Sequence, residues 1–510
     1  MKFTAFSLSL IASTAYASYA QIGAGIVYEP DSLVTDHNAI DRDQAAIQIE
    51  LAKQTADGFE KAKAIYEKGG NSKSVAYIKL DTGLPNELTK GTDITGKNSS
   101  GETINGVSYS SYAAGVTNII VQYQTSTIQE RYVNCQVGAL QITNTVGCFV
   151  DSGNLSINGE SYSYTYNLVT ENQNGRTIQG FSTEAEDKMH KCTNCPYEEF
   201  LKYYNYYGKF DYANQWILAA LEGLPTDFTN GNADFSEYTF DGRAQAVKKG
   251  TAYMAIYMYV IRELEDALDD CNIGCIDCND DPVHAWDEGV AFYTGSTTGE
   301  LLFALADKRC INFKTCGPEG EESSLMTSKT SKVNYDIYNL FTLGKNSLMK
   351  GDCSAAKKIT KDITDKMAIP LIQGTLRYAY KVDKMNGEET EKAEGAVFAA
   401  AVLPRVHACS SIDAATIYNN MKVGASNTNF AAVKEAFENN YECMNIKCSD
   451  VGGIYTISNY NDGAEPCVDG VDGVDEPMLG SYGANSSANA IPFSFGLCLV
   501  AFFVSIIFLK

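Results

Sequence analysis

Apolar residues recur at helical spacing over most of the chain and give way once to an alternation of period two. Helical spacing covers residues 40–68 and returns over 183–315 and 331–450. From about 78 to 180 the chain is rich in serine, threonine, asparagine, glycine and tyrosine, and Ser161–Tyr166 alternates strictly. The pattern predicts an α+β protein, mainly α-helical, with a small antiparallel sheet as a β-rich insertion.

The two long helical regions predict a two-lobed ectodomain. We expect a first lobe over residues 21–320, which includes the insertion, and a second helical lobe over 325–455, with a polar linker between them. Glu288-Gly-Val-Ala-Phe292 and Glu394-Gly-Ala-Val-Phe398 share the pattern Glu-Gly-x-x-Phe. This match indicates either a duplicated helical bundle or a coincidence between two short segments.

Both ends of the chain carry targeting patterns. Residues 1–20 join a basic start to an apolar run and a small-residue cleavage motif, as in a secretory signal peptide. Residues 456–490 form an acidic, glycine-rich stalk, and 491–510 are apolar up to the final lysine. That tail fits either a C-terminal transmembrane helix or a GPI-anchor signal. Either membrane anchor leaves the protein on the extracellular face of the cell membrane.

The charge balance narrows the classes of function. The chain has 510 residues, of which 63 are acidic and 40 basic, and its net charge is −23. A surface this negative repels phosphate backbones, so we expect no nucleic-acid partner. The metalloprotease, serine-hydrolase and dinucleotide-binding motifs are missing from the sequence, and the chain has only four histidines. We therefore do not expect an enzyme.

Fifteen cysteines fit an oxidising compartment. Cys498 lies in the apolar tail, which leaves an even number for disulfides, whose connectivity the sequence does not fix. The close spacings favour four bridges, namely Cys135–Cys148, Cys192–Cys195, Cys310–Cys316 and Cys443–Cys448. The spacing of Cys271, Cys275 and Cys278 also suits zinc, but disulfides are favoured in a secreted acidic protein. Sequons at Asn98, Asn154 and Asn485 indicate a glycoprotein.

Five side chains predict a metal site because they place acid or imidazole on otherwise apolar helices: Glu265, His284, Asp287, Glu288 and Glu394. Glu265 borders the apolar stripe of its helix, whereas Glu263 is on the opposite face and is expected in solvent. His284, Asp287 and Glu288 share one helix face, which suits a hard or borderline cation such as iron. A salt bridge to an internal arginine, or an ordinary acidic helix start, is the alternative.

Arg377 and Arg405 are cations within apolar helical segments. Each predicts either an ion pair with a buried glutamate or a bidentate grip on a small planar anion. Glu394 has few polar neighbours along its own helix and therefore needs a partner from elsewhere.

Several long runs resemble the algal iron-assimilation proteins: His284–Ser296, Ile372–Tyr380, Glu394–Pro404 and Cys448–Gly453. The resemblance covers most of 183–455. With the signal peptide, the β-rich insertion and the C-terminal anchor, the chain is most similar to the phytotransferrins, the membrane-anchored branch of that family. The resemblance implies cell-surface binding of Fe(III) with carbonate as a synergistic anion, followed by endocytosis into endosomal vesicles. It also implies partners such as a surface reductase or endocytic proteins.

Other classes of function stay open at this point. One is a structural or adhesive acidic cell-surface glycoprotein with no specific ligand. Another is an imelysin-like, iron-regulated ectodomain, although the Gly-x-His-x-x-Glu motif of that class is missing because Pro282-Val283 precede His284. Calcium binding by the acidic residues 469–475 is disfavoured because the twelve-residue loop pattern is lacking.

Overall fold

The structure is a computed structural model of the chain. It describes residues 28, 30–32, 34–69, 72, 75–98, 101–123, 136–137, 142–144, 149–150, 152–166, 176–192, 194–274, 282–295, 301–317, 330–456 and 458–469. The predicted signal peptide, most of the predicted stalk and the predicted anchor therefore lie outside the described residues.

Seventeen α-helices are found in the described part of the chain, together with π-helical turns at Glu186–His190 and Thr251–Ile256. In chain order they are α1 Thr35–Asn38, α2 Ile40–Leu51, α3 Ala56–Lys68, α4 Gly180–Thr183, α5 Glu198–Tyr207, α6 Tyr212–Glu222, α7 Phe240–Gly250, α8 Tyr257–Asn272, α9 Pro282–Thr294, α10 Leu302–Phe313, α11 Lys332–Leu348, α12 Cys353–Met367, α13 Ile369–Lys384, α14 Glu389–Cys409, α15 Ser411–Met421, α16 Phe430–Glu438 and α17 Cys448–Val451. None of these described helices is both long enough and apolar enough to cross a bilayer.

Six strands form a closed antiparallel sheet in the order β1-β4-β3-β2-β7-β8. The strands are β1 Val75–Leu80, β2 Asp93–Lys97, β3 Thr103–Ser108, β4 Asn118–Tyr123, β5 Gln136–Val137, β6 Ile142–Asn144, β7 Ser152–Ile157, β8 Glu160–Tyr166, β9 Tyr455–Thr456 and β10 Asn459–Tyr460. β5 pairs with β6, and β9 with β10, as two small separate sheets.

Alternating side chains explain why the closed sheet forms. Ala76, Ile78 and Leu80 of β1 point into its interior, because successive side chains on a strand face opposite sides. They pack with residues such as Ile119 and Leu155 in a core of their own, separate from the helical core. The predicted mixed α+β character, with a β-rich segment between helices, is confirmed.

The two predicted helical lobes share one core. A single hydrophobic cluster includes helices from both sides of the expected boundary near 320–325, and the described residues up to 469 belong to one compact unit. The Tyr203 hydroxyl of α5 donates to the Ala401 carbonyl at 2.9 Å, and the Tyr207 hydroxyl donates to the Ala400 carbonyl at 2.7 Å. The expected division into two lobes is therefore corrected to one helical body with the closed sheet attached.

Five disulfides are described. Cys192–Cys195 and Cys310–Cys316 are confirmed. The prediction of Cys443–Cys448 is wrong: Cys443 bonds to Cys409 and Cys448 to Cys467. Cys271 bonds to Cys353, which removes it from the zinc alternative. Cys135 and Cys148 lie outside the described residues. The folded chain brought distant cysteines together, which sequence spacing could not show.

The sequons differ in accessibility. Asn98 is 2% exposed, and its side chain exchanges hydrogen bonds with Glu102, at 2.9 Å to the carboxylate and 2.8 Å from the backbone nitrogen. Such a buried asparagine is a poor glycan acceptor, because an N-linked glycan needs the surface. Asn154 is exposed on β7, and Asn485 lies outside the described residues.

Candidate functional site

Helix α9 brings two of the predicted metal residues together, and α1 adds a third residue. The His284 Nε2 lies 3.1 Å from Glu288 Oε1, one helical turn away. The His37 Nε2 lies 2.7 Å from the same oxygen. His37 is 3% exposed. Two imidazoles therefore meet at one carboxylate oxygen, and no motif in the sequence linked His37 to α9.

Helix α8 supplies the acidic and phenolic neighbours of these residues. Gly289, next to Glu288, lets α8 approach closely: a Cβ at this position would lie 3.0 Å from Leu264 Cδ2 and 3.4 Å from Glu263 Cβ. Glu263 and Tyr259 thereby come within electrostatic reach of Glu288. We call His37, Tyr259, Glu263, His284 and Glu288 the histidine–glutamate cluster.

Glu263 corrects one of the expectations from the sequence. It is 1% exposed rather than solvated, because α8 is covered on that face as well. Its Oε2 accepts a hydrogen bond from Arg262 Nη1 at 2.7 Å, whereas its Oε1 is buried and has no hydrogen-bond partner among the described residues. Burial raises the pKa of Glu263 to about 7, with Arg262 opposing the shift and Glu288 adding to it.

The charges around Glu288 favour its ionised form. Burial alone raises the pKa of a carboxyl group, but His37, His284 and Arg176 outweigh it and hold the pKa of Glu288 well below its usual value. Tyr259 has its ring stacked on Phe181 at 3.9 Å between centroids, and its hydroxyl accepts a hydrogen bond from Lys188 Nζ at 3.1 Å. Burial raises the pKa of Tyr259 well above its usual value.

Asp287 does not join the histidine–glutamate cluster through its described contacts. Its Oδ1 accepts a short hydrogen bond from the Tyr28 hydroxyl. Its Oδ2 accepts from the Asp31 nitrogen at 2.9 Å and from the Ser32 nitrogen and hydroxyl, both at 2.8 Å. Through these hydrogen bonds Asp287 holds the segment before α1 against α9. This contact places His37, which is on α1, near Glu288. Asp287 is a positioning residue, and burial raises its pKa to about 6.

Glu394 and Arg377 meet in a second cluster, built by α7, α10, α13 and α14. Glu394 Oε2 lies 3.7 Å from Lys249 Nζ and accepts a short hydrogen bond from the Tyr378 hydroxyl. Arg309 and Arg377 are close enough to influence each other's charge and that of the other members. We call Lys249, Arg309, Arg377, Tyr378 and Glu394 the cationic pocket.

Cations dominate the cationic pocket. Burial lowers the pKa of Lys249 to about 8, Glu394 opposes the shift, and neighbouring lysine and arginine residues add to it. Burial and then Arg309 lower the pKa of Arg377. Glu394 is the partner of Lys249 and Tyr378 here, so its described contacts do not place it with the histidine–glutamate cluster.

Arg405 forms the ion pair that was the alternative to anion binding. It is 4% exposed, and Nη1 donates to the Thr364 carbonyl at 2.7 Å and lies 3.5 Å from Glu199 Oε1. Its Nη2 makes a short contact with Asp365 Oδ1. Two buried carboxylates hold this guanidinium, so we no longer assign Arg405 to an anion. Breaking such a buried pair typically costs about 3–5 kcal/mol.

Glu265 lies in a third place. It lines a cleft of about 550 Å³ between α5, α8 and α12, together with Glu199 and Lys202. Burial, followed by the charges of Glu199 and Glu198, raises the pKa of Glu265 to about 8. One of its oxygens is buried and has no partner among the described residues. No described contact joins it to Glu288 or Glu394.

The five predicted metal residues therefore lie in four environments rather than one coordination shell, since only His284 and Glu288 come together. Within the described ranges, no group of three or more histidine, cysteine, aspartate or glutamate side chains is arranged to hold a metal ion. In the histidine–glutamate cluster both imidazoles contact the same carboxylate oxygen of Glu288.

Comparisons with known proteins identify no relative. No protein-family model, no curated protein and no solved structure matches the chain. The resemblance to the iron-assimilation proteins therefore stays a prediction from the quoted sequence runs.

Proposed function

We propose that this protein binds ferric iron at the cell surface and delivers it by endocytic uptake, with carbonate as a synergistic anion. The observation that supports the proposal best is the convergence of His37 and His284 on Glu288, beside Glu263 and Tyr259. The resemblance to phytotransferrins supports the same function. Under this proposal the protein is a carrier and not an enzyme.

The donor types in the histidine–glutamate cluster suit this cargo. Ferric iron is a hard cation that favours carboxylate and phenolate oxygens, and imidazole is also a suitable ligand for iron. Glu263, Glu288 and Tyr259 supply three anionic groups once deprotonated, and the two histidines supply neutral nitrogens. Iron would replace the protons that now hold the cluster together, so binding should release protons and weaken in acid.

The anion part of the proposal needs a cation beside the cluster. Arg377 is in the cationic pocket and Arg405 is held by carboxylates, so neither fits this role by its described contacts. Arg176 affects the charge states of both Glu288 and Tyr259 and is the better candidate to hold carbonate. A guanidinium fork matches the planar oxyanion bidentately.

Ferric titration of the full chain, with and without bicarbonate, tests the proposal. Loss of a residue that only supports a metal ligand typically costs about 10–100-fold in metal affinity. The His37→Gln variant removes a proposed ligand itself, so it should lose about 100-fold in iron affinity. His407→Gln, on α14 in ring contact with Tyr206, is the matched control and should bind as the wild type does.

Three results would each refute a different part of the proposal. Equal iron affinity with and without bicarbonate would refute the synergistic anion. Unchanged affinity in His37→Gln would refute the site. A wild-type chain that binds no ferric iron under either condition would refute the function itself.

A further inference from the structure

We propose that the cationic pocket binds a dianionic oxyanion of the phosphate class, and that it does so without iron. The pocket shares no residue with the histidine–glutamate cluster, so this inference goes beyond the proposed function and does not depend on it.

Three helices direct cations to one place, and a fourth adds a carboxylate. Lys249 comes from α7, Arg309 from α10 and Arg377 from α13, while α14 contributes Glu394. The close contact of α13 with α14 explains this convergence: a Cβ on Gly374 would lie 2.6 Å from the Phe398 ring, and one on Gly395 would lie 3.0 Å from Tyr378 Cβ. Small residues at these two positions bring Arg377 and Tyr378 beside Glu394.

Arg309 is the residue that most strongly indicates a bound ligand. It is 4% exposed, and its Nε and Nη1 are buried without a hydrogen-bond partner in the described part of the chain. Its guanidinium lies 5.9 Å from the centre of the Phe398 ring, which is an apolar neighbour and cannot accept these hydrogen bonds in place of an oxygen. Buried donors are nearly always satisfied in native proteins, so two unsatisfied ones on a cation need an explanation.

The charge count identifies the kind of ligand. Lys249, Arg309 and Arg377 carry three positive charges, and Glu394 supplies one negative charge, which Lys249 and Tyr378 already engage. The excess is two positive charges, which a dianion neutralises and a metal cation would increase. Phosphate monoesters are largely dianionic at neutral pH, because their second pKa is about 6, and inorganic phosphate becomes mainly dianionic just above neutral pH. Free bicarbonate carries only one charge.

Geometry agrees with the same class of ligand. Arginine side chains present forks of parallel N–H groups that match phosphate oxygens, and a lysine adds a point charge. The Tyr378 hydroxyl donates its one proton to Glu394, so the two arginines and the lysine are the donors available to the oxyanion. Inorganic phosphate and the phosphoryl group of a monoester share this chemistry, and an experiment can tell them apart.

Calorimetric titration of the metal-free full chain tests the proposal with two probes, inorganic phosphate and glycerol 3-phosphate. We expect wild-type protein to bind inorganic phosphate, and Arg309→Met to lose at least about tenfold in affinity, as removal of a charge-assisted hydrogen bond does. Lys384→Met is the matched control, because Lys384 is a half-exposed cation on α13 paired with Asp383 at 3.1 Å. Equal binding of both probes identifies a pocket open to monoesters, and binding of phosphate alone identifies free phosphate as the ligand.

Thermal unfolding keeps the test decisive if Arg309→Met is hard to purify. Phosphate should raise the wild-type Tm, because a ligand that binds only the native state stabilises it. Sodium chloride at matched ionic strength should raise it less. Equal shifts with chloride, no phosphate binding by wild-type protein, or undiminished binding by a folded Arg309→Met or Arg377→Met variant would each overturn the proposal.

Discussion

The same short motif is used twice in this molecule, with opposite electrostatic surroundings. In Glu288-Gly-Val-Ala-Phe292 the phenylalanine ring lies 5.4 Å from that of Tyr259, a tyrosine of the neighbouring helix. In Glu394-Gly-Ala-Val-Phe398 the ring lies 5.9 Å from that of Tyr378, again on the neighbouring helix. Each glutamate thus has a tyrosine beside it and a glycine that lets the next helix approach.

The neighbours, and not the motif, distinguish the two regions. Around Glu288 they are His37, His284 and the buried Glu263, a donor set compatible with a cation, with one arginine, Arg176, acting on the same carboxylate. Around Glu394 they are one lysine and two arginines, a set that repels a cation and attracts an anion. The comparison shows that a buried glutamate in an apolar helix has no fixed role until the charges facing it from other helices are known.

Changing each glutamate to glutamine should alter the ligand affinities most. Glu288→Gln should lower ferric-iron affinity by about 100-fold or more, since it removes the negative charge of the carboxylate at which both histidines meet and replaces one of its oxygens by an amide nitrogen. Glu394→Gln should leave iron affinity within about twofold and raise phosphate affinity by about tenfold, because it removes the carboxylate charge that lies among three cations. Ferric titration and phosphate calorimetry on both variants measure the four values.

An exchange of roles between the two glutamates would contradict these assignments. If Glu394→Gln lost iron binding while Glu288→Gln kept it, the metal site would belong to the cationic pocket. Circular dichroism of both variants checks that each one is folded before the affinities are compared.

A smaller effect should distinguish the two regions by pH. Lys249, whose pKa burial lowers to about 8, loses its charge as pH rises from 7 to 9, so phosphate affinity should fall by about tenfold over that range. The Lys249→Met variant should bind more weakly and show a flat response there. Calorimetry at pH 7, 8 and 9 measures it, and a wild-type affinity that does not change would contradict the assignment of Lys249.

The same lysine should affect folding stability with a definite sign. Its folded pKa of about 8 is below the ordinary value of 10.5, so the unfolded chain binds more protons between these values. Lys249 therefore lowers the free energy of unfolding by its full amount below pH 8, and this penalty decreases as pH rises towards 10.5. Urea unfolding of wild-type and Lys249→Met protein across that range isolates this contribution.

Local sequence patterns predicted the helices and the sheet well, but they identified only some of the residues that form the two sites. Helical spacing and the period-two segment indicated the helices and the sheet, because these patterns depend on neighbours within one element. His284 and Glu288 were found for the same reason, since one helical turn separates them. His37, Arg176 and Arg309 could not be found, because each reaches its site from a distant element.

Burial was the other quantity that local patterns misjudged. Glu263 was expected in solvent because it faces away from the main apolar stripe of α8, yet other elements cover that face too. The cysteine pairs followed the same rule: Cys192–Cys195 and Cys310–Cys316 are local and were predicted, whereas Cys409–Cys443 and Cys448–Cys467 required the fold. The Glu-Gly pairs carried a usable signal, since a glycine beside a buried glutamate marks a close helix contact.

The smallest expected effect tests that role of glycine. A Cβ on Gly395 would lie 2.6 Å from Met421 Cε and 3.0 Å from Tyr378 Cβ, whereas one on Gly289 would lie 3.0 Å from Leu264 Cδ2 and 3.4 Å from Glu263 Cβ. Overpacking costs about 1–3 kcal/mol, and alanine regains up to about 1 kcal/mol in helix propensity. Gly395→Ala should therefore lower the free energy of unfolding by about 1 kcal/mol, and Gly289→Ala by less.

A general loss of stability would weaken the binding of both ligands, whereas each of these two substitutions should weaken the binding of one ligand only. Gly395→Ala should push α13 away from α14. Phosphate binding should then weaken a few-fold, while iron binding is unchanged. Gly289→Ala moves α8 from α9 and should weaken iron binding alone. If either substitution weakened both ligands equally, the two motifs would act through the shared helical core, and the close helix contacts would not be what sets each site.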